Sequence, residues 1–166
     1  NAAKVQMSGS SDGNAATAHV DTFARQHLPP RELWPDFIFT RPELQYPPRL
    51  NCVGYFLDRW VDEGHGDAPC VISPAVSYSY RELAQTACAL ATRLRNEDGV
   101  RPGDRVVITG SRSFGLMAAV LAVLEAGGVL VLLDKNLTVH RRREILAEAN
   151  PGHMVYAGSE SDMPEA

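Results

Sequence analysis

Three short apolar runs alternate with two longer helix-like stretches in the second half of the chain. The runs cover residues 104–109, 129–133 and 153–156, and the stretches between them cover residues 113–126 and 138–149. A near-continuous apolar run is typical of a strand covered on both faces, and a helix between two such strands returns the chain for parallel pairing. The pattern therefore predicts an α/β fold with a parallel sheet and right-handed crossovers.

Polar residues mark the points where helices begin. Ser113 and Thr138 are suitable N-cap residues for the two crossover helices. Residues 79–82 (SYRE) have the form of a capping box, which predicts a helix that ends near Gly99. Asn51 is a suitable cap for an earlier helix, and the helical spacing predicts an inward stripe of Val53, Phe56, Leu57, Trp60 and Val61.

The apolar pattern also predicts which elements are covered. Residues 69–73 and 76–78 are predicted to pair as a short hairpin. The helix over 113–126 is apolar nearly all round, so it is expected between two layers. The run 129–133 is expected to be covered on both faces. The last helix is expected to face inward with Ile145, Leu146 and Ala149.

Composition divides the chain into four parts. Residues 1–20 are rich in Gly, Ser, Asn and Ala and are predicted to form a disordered tail. Residues 21–50 contain six prolines with interleaved aromatic residues, which predicts an extended arm lying across a folded body, or alternatively a peptide-like recognition segment. Residues 51–158 hold the α/β elements, and residues 159–166 form a polar end without a closing element. Three strands with an open edge predict a partial, doubly wound sheet in a truncated chain.

Charge and cysteine usage exclude several classes of function. Sixteen Lys and Arg against twenty Asp and Glu leave a net charge of −4, so no overall positive field favours nucleic acid or an anionic membrane. Cys52, Cys70 and Cys88 form no CxxC pattern, and their odd number argues against a secreted disulfide framework. A cytoplasmic location is therefore expected.

Residues 114–133 are apolar over a length that would span a bilayer. Glu125 is the single charge in this segment, and residues 127–128 are both glycine. A carboxylate inside a bilayer is costly, and a glycine pair interrupts a helix that would have to continue. Helix, turn and strand is the favoured interpretation, and a membrane-anchored protein is the alternative.

Four loops or clusters are candidates for binding. Residues 110–115 (GSRSFG) form a strand-to-helix turn that could cradle phosphate, but the lysine and hydroxyl of a P-loop are missing after Gly115, so a structural turn is favoured. Residues 8–13 (SGSSDG) resemble a phosphate loop only in composition. Residues 141–143 (RRR) are favoured as a solvated face, and residues 62–67 (DEGHGD) as a turn rather than a metal site. The sequence yields no catalytic, cofactor-binding or metal-ligating residue.

Several segments together resemble adenylate-forming enzymes. Residues 77–83 (SYSYREL) and 99–106 (GVRPGDRV) are similar to that superfamily's TYxEL motif and the GVxPGDRV that follows it. Residues 121–134 (LAVLEAGGVLVLLD) are similar to its LAVLKAGGAYVPLD motif. The superfamily comprises acyl- and aryl-CoA ligases, luciferases and the adenylation domains of nonribosomal peptide synthetases. The resemblance identifies residues 51–158 as an incomplete N-terminal subdomain of the AMP-binding type.

The arm refines the resemblance toward one subgroup. Residues 21–35 (DTFARQHLPPRELWP) and 44–51 (LQYPPRLN) are similar to the leader of benzoate- and 2-aminobenzoate-CoA ligases. Residues 132–134 (LLD) and the helix after them are more similar to peptide synthetases, although Leu132 replaces the usual proline. Both subgroups stay open.

By resemblance, the complete enzyme would activate a small carboxylic acid with ATP and Mg²⁺ and pass it to CoA or a carrier thiol. The family's glycine-rich loop and catalytic lysine would follow residue 166, so this part is expected to be inactive alone and to bind none of these cofactors. Its expected partner is the rest of its own chain. A complete flavodoxin-like module that binds a small ligand is the alternative outside this family.

Overall fold

The computed structural model describes residues 26–36, 38, 40–45 and 50–158. The chain divides into two compact units, Asn1–Leu50 and Asn51–Ala166. In the first unit the predicted extended arm contains two short 3₁₀ turns, Arg31–Leu33 and Pro42–Leu44. The predicted disordered tail, the loop over residues 8–13 and the polar end over 159–166 lie outside the described residues.

The second unit begins with a helical segment that Asn51 caps as predicted. The Asn51 Oδ1 accepts a hydrogen bond from the backbone N–H of Val53 at 3.0 Å. The segment is wound as two π-helical pieces, Gly54–Asp58 and Val61–His65. A π-helix has more residues per turn than an α-helix, so the residues on one face are spaced differently.

The predicted inward stripe of this segment is wrong at two positions. Val53 and Leu57 are buried, but Phe56 is 63% exposed and Trp60 is 41% exposed. The stripe assumed α-helical spacing, whereas the wider winding turns positions three residues apart onto different faces. This segment therefore buries a narrower face than its sequence indicates.

A hairpin and a long helix follow. Strands β1 (Pro69–Ile72) and β2 (Ser77–Ser79) pair antiparallel, which confirms the predicted hairpin. Helix α1 (Tyr80–Asn96) begins at the predicted capping box, in which the Ser79 hydroxyl accepts from the Glu82 N–H at 3.2 Å. The Glu82 carboxylate in turn accepts from the Ser79 N–H at 2.7 Å.

Three parallel strands form the central sheet, and this confirms the predicted fold class. Strand β3 (Arg105–Gly110) lies in the middle, with β4 (Val129–Asp134) on one side and β5 (His153–Ala157) on the other. Helix α2 (Phe114–Glu125) connects β3 to β4, and helix α3 (Val139–Ala149) connects β4 to β5. Because the two connections run in opposite directions along the sheet, right-handed crossovers place α2 and α3 on opposite faces.

Helix α2 lies between two apolar clusters, as its sequence predicts. One side packs Ala119, Ala122 and Val123 against the buried sheet residues Val106 and Ile108. The other side places Ala118 in a second cluster, whose other buried members come from the π-helical segment and α1: Val53, Leu57, Leu83 and Ala87. The core therefore consists of sheet, α2 and α1 in successive layers.

The predicted coverage of strand β4 is wrong. Strand β4 was expected to be covered on both faces, but only Leu133 is buried and Leu132 is 60% exposed, because β4 is an edge strand. Helix α3 was expected to face inward with Ile145, Leu146 and Ala149, and these side chains are half-buried. An edge position leaves one side of a strand without a neighbour.

Candidate functional site

The carboxyl ends of the three parallel strands meet at one edge of the sheet. Gly110 is in register with Asp134 of β4 on one side and with Ala157 of β5 on the other. Ligands of open α/β sheets bind beyond this edge. A Cβ atom on Gly110 would overlap the carbonyl of Ala157, so the position accepts only glycine without a shift of the backbone.

The loop after β3 uses its polar groups for internal contacts. The Ser111 N–H donates to the Ala157 carbonyl at 3.2 Å, and the Lys135 Nζ donates to the Ser111 hydroxyl at 2.9 Å. The Ser113 hydroxyl accepts from the Leu116 N–H at 3.2 Å and thereby caps α2. These bonds support the structural interpretation of residues 110–115 over the phosphate-loop interpretation.

The family motifs imply ATP, and the described residues do not fit it. Ser111 and Lys135 bind each other, Ser113 is occupied as a cap, and no P-loop lysine follows Gly115. The carboxylates and histidines of the described ranges also form no group of three that could hold a metal ion such as Mg²⁺. We therefore derive no chemical step through nucleotide or metal on these residues.

The acidic turn at residues 62–67 has other roles. Gly64 adopts a φ of 93°, which ends the helical segment, and the His65 ring stacks on Trp60 with centroids 4.2 Å apart. The Asp67 carboxylate accepts from Arg81 at 2.9 Å, and this contact raises the pKa of the Arg81 guanidinium. His65 and the Asp67 carboxylate are therefore engaged in contacts that stabilise the turn, which supports a turn rather than a metal site.

The arginine cluster at residues 141–143 is partly paired. Arg141 forms an ion pair with Glu144 at 3.0 Å, and Arg142 donates to the Lys135 carbonyl at 3.3 Å. His140 lies 3.3 Å from the same glutamate. The contacts support a solvated helix face rather than a phosphate site.

The three cysteines are free thiols. Burial raises the pKa of the Cys70 thiol, which disfavours the thiolate that nucleophilic chemistry needs. His153 lies 3.5 Å from Asp104, at the opposite edge of the sheet from the strand carboxyl ends. None of these groups forms a nucleophile–base pair with another.

The structure adds one feature that the sequence analysis missed, a groove of about 660 Å³ between the hairpin and the start of α2. Tyr78 of β2 and Phe114 of α2 stack beside it, with ring centroids 4.0 Å apart. The sequence did contain a signal for this groove, because the two apolar residues Ile72 and Val76 flank the hairpin turn. Apolar residues at a turn indicate a surface beside it that is not simply solvated. The further groove residues are Val71, Ser73, Arg112, Ser113, Gly115, Leu116 and Met117.

Comparison with known families decides the membership of the chain. Residues 57–165, well over half of the chain, match the family described as AMP-binding enzyme. The chain belongs to the AMP-binding enzyme family. This finding agrees with the three motifs that indicated adenylate-forming enzymes.

Related sequences of this family are peptide synthetases. Enterobactin synthase component F of Escherichia coli O157:H7 is 37% identical over 89 residues, which cover 54% of this chain and 7% of that protein. Pyochelin synthetase PchF of Pseudomonas aeruginosa is 37% identical over 100 residues, which cover 60% of this chain and 5% of that protein. The chain therefore spans a small share of the length of these relatives.

Solved structures of the family share the fold. The N-terminal subdomain of Klebsiella oxytoca NpsA is 29% identical with a TM-score of 0.58, and the match covers 64% of this chain and 28% of that chain. NpsA in complex with 3-hydroxyanthranilyl-AMSN is 27% identical with a TM-score of 0.61, over 71% of this chain and 24% of that chain. The α/β unit thus corresponds to part of the N-terminal subdomain of an adenylation domain.

The finer resemblance to benzoate-CoA ligases has no support in these matches. The relatives named above are peptide synthetases, and the family match begins at residue 57, after the arm that carried this resemblance. As for the membrane alternative, the helices within the described ranges include none long and apolar enough to cross a bilayer.

Proposed function

We propose that this chain supplies the scaffold of an adenylation domain of the peptide-synthetase type. The carrying observation is the match of its α/β unit to the N-terminal subdomain of NpsA, together with 37% identity to two peptide synthetases. The complete enzyme would convert a carboxylic acid into an acyl adenylate and transfer it to a carrier thiol. ATP, Mg²⁺ and the cytoplasmic location belong to this proposal.

An aryl carboxylic acid is the proposed substrate class. The NpsA structures hold 3-hydroxyanthranilyl-AMSN, anthranilyl-AMSN and 3-hydroxybenzoyl-AMSN, whose acyl groups are all aromatic. The arm over residues 21–35 is similar to leaders of aryl-CoA ligases, which act on the same class of acid. The ligands of NpsA and the similarity of the arm are the support for an aromatic acid.

The role of the described residues is to hold the sheet and its helices in place. Gly110 lets β3 and β5 approach, and the Lys135–Ser111 bond joins the loops that follow β4 and β3. These contacts position the carboxyl edge of the sheet, against which a reacting group on another part of the domain could be oriented. No proton transfer or nucleophilic attack is assigned to this chain.

A second candidate is an aryl-CoA ligase, which the leader similarity favours. The two candidates activate the same acid and differ only in the thiol that receives it. In both cases the chain contributes scaffold residues.

Acid-dependent exchange of pyrophosphate into ATP tests the proposal. The full-length product of the gene is assayed with 2-aminobenzoate, benzoate, serine and glycine, and the 166-residue chain is assayed beside it. We expect exchange by the full-length product with the aromatic acids and none by the chain alone. Exchange by the chain alone, or no exchange by the full-length product with any acid, would refute the proposal. Thioester formation on CoA or on a carrier domain then separates the two candidates.

A further inference from the structure

A chain of hydrogen bonds connects the strand ends at the carboxyl edge of the sheet. The Ser111 N–H donates to the carbonyl of Ala157, the last residue of β5, at 3.2 Å. The Ser111 hydroxyl accepts from the Nζ of Lys135, which directly follows β4, at 2.9 Å. The Lys135 carbonyl accepts from Arg142 in the first turn of α3 at 3.3 Å. These four residues form what we call the edge network.

Lys135 is the central member of the edge network, because its side chain reaches the loop after β3 and its carbonyl reaches α3. The backbone on both sides of it is held by Asp134. The Asp134 Oδ1 accepts from the Asn136 N–H at 2.8 Å, and the Asp134 carbonyl accepts from the Leu137 N–H at 3.2 Å. This turn fixes the point from which the lysine side chain extends to Ser111.

The bond between Lys135 and Ser111 affects position more than stability. Within the described ranges the Ser111 hydroxyl is the only hydrogen-bond partner of the Lys135 ammonium, and Lys135 is exposed. A contact of an exposed charged side chain adds little to the free energy of unfolding. Helix α3 buries no residue completely, so its placement depends on contacts of this kind at its first turn. Loss of the bond is therefore expected to move the two loops and α3 without unfolding the chain.

Neither side chain belongs to the segments that indicated the family. Those segments cover residues 77–83, 99–106 and 121–134, and Ser111 and Lys135 lie outside all of them. The bond is therefore a property of this chain that its family motifs do not describe.

We propose that Lys135 is a positioning residue for the acid-activation reaction, because its bond to Ser111 fixes the loops after β3 and β4 relative to each other and to α3. This inference rests on the proposed function. Ligands of open α/β sheets bind beyond the carboxyl edge, so the spacing of these loops sets where a bound group lies. A misplacement of about 1 Å can lower a rate by about 100-fold. Loss of the bond should therefore lower turnover while the fold is retained.

Acid-dependent pyrophosphate exchange by the full-length product of the gene tests this role, with kcat and KM measured separately for the acid and for ATP. Lys135→Met removes the ammonium and keeps an unbranched stem, and Ser111→Ala removes the accepting hydroxyl. Lys135→Arg keeps a charged donor. Arg143→Met is the matched control, because Arg143 is exposed in α3 next to Arg142 and makes no hydrogen bond to the edge network.

We expect Lys135→Met and Ser111→Ala each to lower kcat by about tenfold, with KM changed by less than about twofold. The double variant should lose no more than either single variant, because both substitutions remove the same bond. Lys135→Arg should retain at least about half of kcat, since one donor is sufficient for one hydroxyl. Arg143→Met should leave kcat unchanged. The Tm of Lys135→Met should fall by less than about 3 °C.

Hydrogen exchange of the 166-residue chain gives a second readout that does not depend on activity. In Lys135→Met the backbone amides of residues 110–113 and 134–142 should exchange several-fold faster than in the wild type. The amides of α1 should keep their rates, because α1 takes no part in the edge network. This pattern distinguishes a local loss of position from a general loss of stability.

An unchanged kcat in Lys135→Met beside an active wild type would overturn the inference and leave the proposed function standing. Additive losses in the double variant, a fall of kcat and Tm in parallel, or unchanged hydrogen exchange in both loops would overturn it as well. Failure of the proposed function has a different signature, namely a wild-type full-length product that exchanges pyrophosphate with none of the acids. That result would refute the positioning role together with the function.

Discussion

Strands β3 and β4 have similar apolar sequences and very different surroundings. Residues 106–108 (VVI) of β3 are completely buried, whereas Leu132 of β4 is 60% exposed, although it is the register partner of Ile108. The sequences differ little in hydrophobicity, so the difference comes from position, because β3 has a neighbour on both sides and β4 on one. An apolar run therefore indicates a strand without indicating whether that strand is central or at an edge.

The largest expected effect separates the two strands directly. Ile108→Ala should lower the free energy of unfolding by about 2–5 kcal/mol, because it leaves a cavity in the buried layer between the sheet and α2. Leu132→Ala at the paired position should cost less than about 1 kcal/mol, since its side chain is mostly exposed. Urea denaturation of both variants measures the difference. Equal losses would show that β4 is covered in solution.

A second test concerns the close approach of β3 and β5. Gly110→Ala should cost about 1–3 kcal/mol, because its Cβ atom would overlap the Ala157 carbonyl and push the strands apart. Gly152→Ala is the control, since no heavy atom lies within 4 Å of its added Cβ. Thermal unfolding of the two variants provides the measurement. If Gly110→Ala left the thermal stability unchanged, the backbones of β3 and β5 would move apart at little energetic cost.

The helices that follow β3 and β4 offer a finer comparison. Ser113 and Thr138 cap α2 and α3 with nearly equal distances, 3.2 Å to the Leu116 N–H and 3.3 Å to the Arg141 N–H. Ser113→Ala should cost about 1 kcal/mol in global stability. Thr138→Ala should cost less, because α3 buries no residue completely and can fray without unfolding the core. Circular dichroism during urea unfolding, combined with hydrogen exchange in each helix, distinguishes global from local loss.

The smallest expected effect depends on pH and acts at the start of α1. Hydrogen bonds from the Ser79 N–H and hydroxyl lower the pKa of the Glu82 carboxyl. A depressed pKa in the folded state adds stability above the ordinary Glu pKa of about 4.3, and this stability is lost as the pH falls through the lower folded value. Glu82→Gln should therefore flatten the acid side of the profile of Tm against pH. An unchanged profile would assign the acid sensitivity to other groups.

Local signals in the sequence were sufficient for the order of elements. The caps at Asn51, Ser79, Ser113 and Thr138 were all predictable, because an N-cap needs only a side-chain oxygen and the amides two or three residues later. The motifs also identified the family correctly. These features depend on neighbours in the chain.

Features that depend on distant parts of the chain were not predictable in the same way. The exposure of Leu132 follows from strand order, and the π-helical winding around Phe56 has no signal that helical periodicity detects. The groove joins residues 71–78 to residues 112–117, which tertiary packing alone brings together. The internal role of the loop at residues 110–115 was favoured from its missing lysine, but the Lys135 contact to Ser111 required the structure.

The central position of β3 has a consequence for synthesis on the ribosome. Although β3 is the first of the three parallel strands to be made, its second neighbour β5 is completed about 47 residues later (Ala157 against Gly110), which takes several seconds at ~5–20 residues per second. Throughout that interval the nascent chain carries the most deeply buried strand of the described sheet with at least one side unpaired. The moment at which residue 157 leaves the exit tunnel is therefore the earliest point at which β3 can be paired on both sides.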